Sequence, residues 1–394
     1  MSKRKKVRAI FCHDLPVYKD INGDYCSTTL TDEVFARYLD VADELIAAVR
    51  VYQIDKTYQE AHQEKISLSH IRFLDIPNMN TVKGFFTVIP RIKKTLLKAV
   101  ACSDLVFIRG GVLALLAVDA ARKLNKAYVL ECAGEVFINY WLHSTLGKIA
   151  APYMEYRVRR DVWNASFVLY VTKEYLQKKY PSRGAACAVS DVVIAQTDEG
   201  ILNRRIEKIR NKKRGAFVIG TTAHLATKNK GQQDVLRAMD MLRDKMDIRY
   251  ELAGGGDESY LKSQVQKYHL TDRVTFMGQL RHEEVLSWID GIDLYIQPSF
   301  SEGLSRALVE AMSRGCPAIA SDIAGNRELL EKKMLFPAGN AGALCKRLVE
   351  ILHGSLEEQA EKNFYKAKEY EAEKLDKKRR EFFERYRDCV IGGR

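Results

Sequence analysis

The run Asp293-Leu294-Tyr295-Ile296-Gln297-Pro298, with the residues just after it, restricts the fold more than any other stretch of the chain. Its apolar residues do not alternate with polar ones, as expected of a strand buried on both faces of a parallel sheet. Pro298 ends that strand, and Gly303 leaves the following turn uncrowded by a side chain. A helix is predicted through Arg306-Ala307-Leu308-Val309-Glu310-Ala311-Met312, ending near Gly315. Glu302 then stands just before the helix N-terminus, and Glu310 lies about two turns further on. At about 1.5 Å per residue the two carboxylates are roughly 12 Å apart.

The same alternation of short apolar runs and helical patterns fills both halves of the chain, which calls for parallel sheets covered by helices. In the first half, strands are predicted at Val7–Cys12, Leu45–Val51, His70–Leu74, Leu105–Ile108, Tyr128–Glu131 and Phe167–Val171. Thr31–Val41 and Val112–Leu124 read as helices. In the second half the strands are Phe217–Thr221, Arg249–Ala253, Arg273–Phe276, Leu294–Gln297 and Ala318–Ser321. A charged stretch, Arg204–Arg214, precedes the first of these, and the boundary between halves is placed near Ala195–Asn203. The tail from Ser355 to Asp388 is helical and charged, with Phe364, Tyr365, Tyr370, Phe382, Phe383 and Tyr386 as core-facing anchors.

A chain of 394 residues exceeds one ordinary core and fits two domains. No apolar run approaches the roughly 18 residues that span a membrane; the longest, Gly111–Val118, is closed by Asp119. The basic start Lys3-Arg4-Lys5-Lys6 resembles a signal peptide, but its apolar stretch stops after Cys12, so a first strand is read there. Eight scattered cysteines with no Cys-x-x-Cys argue against zinc and a disulfide framework, and for a reducing cytoplasm. The net charge is +12, and residues 1–196 hold 28 Lys and Arg against 20 Asp and Glu, about two thirds of the excess. An anionic membrane surface, nucleic acid and plain solubility compete to explain it. Nucleic acid is disfavoured because no binding motif accompanies the charge. The stretch Arg91–Val100 has a basic and an apolar face, as an interfacial helix does, or as a helix packed on a sheet does.

The segment Tyr250–Leu330, including Arg273-Val274-Thr275-Phe276-Met277-Gly278, the Glu302–Glu310 block and Gly315-Cys316-Pro317-Ala318-Ile319-Ala320-Ser321-Asp322, resembles family 4 of the nucleotide-sugar glycosyltransferases. So does Ile219-Gly220-Thr221-Thr222 followed by Lys230-Gly231. The resemblance implies an α/β fold of two Rossmann-like domains facing across a cleft (GT-B). Residues 1–196 would bind the acceptor, 197–365 the nucleotide-sugar, and 366–394 would form a helix returning to the N-terminal domain. It also implies transfer of a sugar with retained configuration. The donor is expected to be a uridine rather than a guanosine diphosphate sugar, and the acceptor a saccharide or lipid-linked saccharide of bacterial surface polysaccharide synthesis. A nucleotide-sugar epimerase on the same fold and a non-catalytic nucleotide-sugar-binding relative remain as alternatives.

Breaking the bond from sugar C1 to the diphosphate leaves negative charge, which cations, backbone N–H groups or a metal must stabilise. The sequence holds no Asp-x-Asp, and Asp290-Gly291-Ile292-Asp293 has another spacing, so no metal or other cofactor is expected. By resemblance Lys230 serves the diphosphate, while the position where relatives often carry arginine is His224; Lys228 is a second cationic candidate. Glu310 would accept from the ribose hydroxyls, and Glu302 would contact the sugar. Gly303, Leu304 and Ser305 would contribute backbone N–H groups at the helix N-terminus. Thr222 ends the strand before the lysine loop, and Leu280 lies in the base-binding segment Gly278-Gln279-Leu280. Gly254-Gly255-Gly256-Asp257 reads as a tight strand-to-helix turn. On the acceptor side the candidates are Glu135, His143 and Tyr25, within or after a polar first loop His13–Tyr25. The protein is expected in the cytoplasm, at most peripheral on the inner face of the cell membrane.

Overall fold

The computed structural model describes residues 6–77, 82–212, 215–352 and 354–392, and of residues 82–87, 142 and 143 the backbone alone. Lys3–Lys5 of the basic start, and Lys213 and Arg214 of the charged stretch, lie outside the described residues. The chain divides into two compact units, Met1–Val189 with Asp376–Arg394, and Ser190–Leu375. Both are α/β.

The first unit is built on β1 (Arg8–Lys19), β2 (Tyr25–Cys26), β3 (Glu44–Gln53), β4 (Ile71–Asp75), β5 (Leu105–Arg109), β6 (Val129–Cys132), β7 (Phe167–Tyr170) and β8 (Ala185–Ala188). The sheet order is β4-β3-β1-β5-β6-β7-β8, parallel throughout, with β2 antiparallel to the end of β1. Here one expectation is corrected. The polar segment after Cys12 is not a loop: β1 continues to Lys19 after a register shift between Cys12 and Pro16. The irregularity takes up Pro16, which has no N–H to give a ladder. Arg50 Nε donates to the Asp14 carbonyl at 2.6 Å and steadies the bend. The turn into β2 is then closed by Asp20, whose Oδ1 accepts from Asn22 N and Asp24 N at 2.9 and 2.8 Å.

Helices Val82–Ala101 and Gly111–Lys123 bury Ile92, Leu96 and Val100 with Leu113, Leu116 and Ala117 over the sheet's Ile10, Val106 and Ile108. The apolar face of Arg91–Val100 is therefore core, and only Lys93, Lys94 and Lys98 look outward with Arg91. The tail is three pieces, Leu356–Ala367, Lys368–Tyr370 and Ala372–Ile391. In the last, Phe383 meets Phe107 with ring centroids 4.8 Å apart, and Tyr386 meets Phe167 at 5.1 Å. The Tyr386 hydroxyl accepts from Val106 N and donates to Ala127 O, each at 2.9 Å. Burying such rings stabilises by about 1.5–3 kcal/mol each. Tyr365, by contrast, is exposed.

The second unit holds β9 (Phe217–Thr222), β10 (Ile248–Ala253), β11 (Val274–Gly278), β12 (Leu294–Gln297), β13 (Ala318–Ser321) and β14 (Leu335–Phe336), all parallel, in the order β11-β10-β9-β12-β13-β14. Every residue of β12 and β13 is buried, as their unbroken apolar runs require. The charged stretch before β9 forms helix Glu199–Asn211, in which Arg205 is itself buried. Its guanidinium is satisfied by the carbonyls of Ile289 and Ile292, both at 2.7 Å, which tie the C-terminal end of helix His282–Gly291 to it. Asp290 pairs with Arg314 and Asp293 with Lys212, so both aspartates are taken up in structural ion pairs. Among the described residues no helix is long and apolar enough to cross a membrane.

Candidate active site

In a doubly wound sheet, ligands bind beyond the carboxyl ends of the strands at the point where the strand order reverses. In the second unit that point lies between β9 and β12, which are adjacent in the sheet but far apart in sequence. The loops leaving them carry the two strongest candidates. After β9 the chain makes a one-turn helix, Lys228–Lys230, and turns at Gly231 with φ 76°. A Cβ at Gly231 would lie 2.0 Å from the carbonyl of Pro298, so only glycine lets this loop lie on the end of β12. Phe300 N donates to Asn229 O at 2.9 Å across the same contact. Lys230 Nζ is thereby delivered to Glu302 Oε1 at 2.6 Å. The same oxygen accepts from Ser299 Oγ at 2.8 Å and from Gln297 Nε2 at 3.4 Å.

The Glu302 loop is held from its other side too. Gly325 packs so close that a Cβ there would meet the Gly303 carbonyl at 2.2 Å, and Ser321 Oγ donates to the Ser299 carbonyl. Helix Arg306–Ser313 follows, its N-cap Ser305 accepting from Leu308 N at 3.3 Å. The backbone N–H groups ahead of Leu308 remain at the positive end of the helix, where an anion is stabilised.

Glu310 is 6% exposed on this helix, with His282 Nδ1 3.6 Å from its carboxylate. Burial raises its pKa above the ordinary carboxylate value, against the pull of His282 and Arg306. Beside it Tyr295 joins the two loops from below, its hydroxyl taking the Thr222 N–H at 3.3 Å and reaching Gln297 Oε1 at 3.0 Å. A cavity of about 350 Å³ opens next to β9 and β10, lined by Thr222, His224, Gly254, Gly255, Gln279 and Leu280. Thr222 Oγ1 is buried against it, close to the Tyr295 hydroxyl.

The structure thus brings Thr222, His224 and Leu280 to one cavity, joins Lys230 to Glu302, and sets Gly303, Leu304 and Ser305 at the helix start. Lys228 points elsewhere, its Nζ 4.2 Å from the centroid of the Tyr260 ring. Gly254 and Gly256 make the tight turn expected of them, with φ 152° and 110°. Three functional candidates were not legible in advance: Gln297 and Ser299, which aim Glu302, and His282 against Glu310. The polar pair Gln297 and Ser299 around Pro298 was a usable signal, since polar side chains at a buried strand's carboxyl end need a partner. Nothing local marked His282.

The acceptor-side candidates sit in the first unit. Tyr25 stacks on Phe73 with ring centroids 4.2 Å apart. Glu135 precedes helix Val136–His143, and its carboxylate accepts from Tyr175 and pairs with Lys179. The side chain of His143 lies outside the described residues. At this unit's own reversal point, between β1 and β5, the start of helix Gly111–Lys123 is occupied by the protein itself: Leu113 N donates to Asp14 Oδ2 at 3.1 Å. A carboxylate already fills the place a phosphate would take.

Two α/β units, each built on a parallel sheet, make up the architecture of GT-B glycosyltransferases. Comparison with known proteins agrees. Residues 203–370 match the family described as Glycosyl transferases group 1. Protein CapJ of Staphylococcus aureus is 31% identical over 349 residues, covering 86% of this chain and 85% of that protein. The chain belongs to the group 1 glycosyl transferases. The amylovoran biosynthesis glycosyltransferase AmsK of Erwinia amylovora is 32% identical over 139 residues, 32% of this chain and 34% of AmsK. In fold, the chain matches HepE of Anabaena in complex with UDP and glucose, with TM-score 0.61 and 16% identity over 97% of this chain and 99% of that one.

Proposed function

We propose that the protein transfers one sugar from a uridine diphosphate sugar to a saccharide or lipid-linked saccharide in surface polysaccharide synthesis, at the inner face of the cell membrane. The observation that carries this reading is the joining of Lys230 and Glu302 beside the open start of helix Arg306–Ser313. The relationship to AmsK supports the polysaccharide context, and the fold shared with UDP-bound HepE supports the donor class.

In this reading the base and ribose enter by the cavity at Thr222, His224 and Leu280, and Glu310 accepts from the ribose hydroxyls. The diphosphate meets Lys230 and the helix N–H groups, which stabilise the charge left when the C1–O bond breaks. Metal is not required, because the cation is supplied by the lysine. Glu302, aimed by Ser299 and Gln297, holds sugar hydroxyls. The acceptor oxygen bonds to C1 on the face the diphosphate leaves, its proton passing to the departing phosphate oxygen, so configuration is retained. Incubation with UDP-sugars and a lipid-linked saccharide, followed by NMR of the product's anomeric proton, tests it. A product with the donor's configuration, formed in EDTA, supports the reading; an inverted product or an absolute metal requirement overturns it.

A further inference from the structure

Helix Thr145–Trp163 is apolar on two opposite faces. Gly147, Ala151, Met154 and Val162 are buried against the first unit. On the other side Leu146, Ile149, Tyr153, Tyr156 and Trp163 fall within about a quarter turn of one another at 100° per residue. They are 64, 75, 57, 61 and 39% exposed. A helix packed on its own unit ordinarily turns charge to the water; this one turns out rings and aliphatic chains, with Arg160, paired to Asp161, the one charged side chain within the stripe. Trp141, on the preceding helix, is 44% exposed. Each tryptophan carries a cation: Lys148 Nζ lies 5.8 Å from the Trp141 ring centroid, and Arg183 Cζ 4.6 Å from that of Trp163. Among the described residues neither cation is paired with a carboxylate.

We propose that this stripe seats the first unit on an anionic phospholipid bilayer. Tryptophan and tyrosine favour the headgroup level, where an apolar body and a polar tip are both accommodated. Leu146 and Ile149 reach into the acyl boundary, and Lys148 and Arg183 meet lipid phosphates. The excess of positive charge in residues 1–196 favours a negatively charged surface over a second copy of the same face, which would oppose like charges. The other basic helix offers no alternative, because its apolar side is core. The inference stands on this surface alone, independent of the donor site.

Co-sedimentation with vesicles of phosphatidylcholine, with and without 30% phosphatidylglycerol, tests it on the full chain. Wild type should pellet with the anionic vesicles, with emission of Trp141 and Trp163 shifting to the blue. An Ile149→Glu/Tyr153→Glu variant should lose about tenfold or more in partitioning, and Lys148→Glu/Arg183→Glu should lose about as much and abolish the lipid-charge dependence. Unchanged cooperative melting of both variants keeps the comparison valid. Equal pelleting of wild type and variants overturns the proposal. So does a wild-type dimer in sedimentation equilibrium that these substitutions dissolve while vesicle binding is nil.

Discussion

Lys230 and Glu302 are 72 positions apart in sequence and 2.6 Å apart in space, each at the tip of a loop leaving one of two adjacent central strands. The pair is partly exposed, with side chains 30 and 16% accessible, so its contribution to stability is small, about 0–1 kcal/mol. In the proposed function its value lies in holding a cation and a carboxylate side by side at the edge of the donor site. Lys230→Ala should lower kcat by roughly a hundredfold or more, the usual effect of removing one stabiliser of developing negative charge. The melting temperature should hardly move. Nucleotide release measured with donor and acceptor checks this; near-normal turnover removes Lys230 from the chemistry.

Glu310 makes a prediction in pH. Burial raises its folded pKa, so the stability linked to it is fully present below the unfolded value and is lost as pH rises through the folded one. Glu310→Gln does not titrate. The variant without ligand should therefore gain stability over wild type as pH increases from about 4 to 8, measured by urea unfolding at each pH. A constant difference would mean that Glu310 is not held in a desolvated site.

Gly325 supports the Glu302 loop by packing against the Gly303 and Glu302 backbone. An added methyl meets the Gly303 carbonyl, so Gly325→Ala should cost about 1–3 kcal/mol, as overpacking does. It should also weaken nucleotide-sugar binding by displacing the loop. Wild-type affinity in a stably folded variant would show that the loop's position does not matter to the donor.

The central strands were legible because a parallel strand buried on both faces writes a continuous apolar run; β12 and β13 appear where that run stands. Edge strands β8 and β14 are short and leave no such trace. The continuation of β1 was hidden by His13, Asp14 and Pro16, which look like loop chemistry until Arg50 is seen bonded to the Asp14 carbonyl. Helix Glu199–Asn211 was obscured because one of its buried residues is an arginine, Arg205. At the site, Glu302, Glu310 and Lys230 stand in recognisable local patterns. Their partners Ser299, Gln297 and His282 depend on a loop's path or on contact between distant segments, which no local pattern encodes.

Tyr386 tests the returning helix. Its hydroxyl serves the Val106 N–H and the Ala127 carbonyl in the first unit, so Tyr386→Phe strands a buried donor and should cost about 1–3 kcal/mol. Chemical denaturation gives the number directly. A neutral substitution would mean the hydroxyl is not engaged.

The claim that the second unit is a metal-free nucleotide-sugar site is tested most directly by calorimetric titration of UDP, GDP and their sugar conjugates in EDTA, with wild type and Glu310→Ala. The account predicts that UDP and a UDP-sugar bind in preference to the guanosine series. Loss of Glu310 should weaken that binding by about 1–3 kcal/mol. Preference for GDP, or equal affinity in wild type and Glu310→Ala, would contradict it.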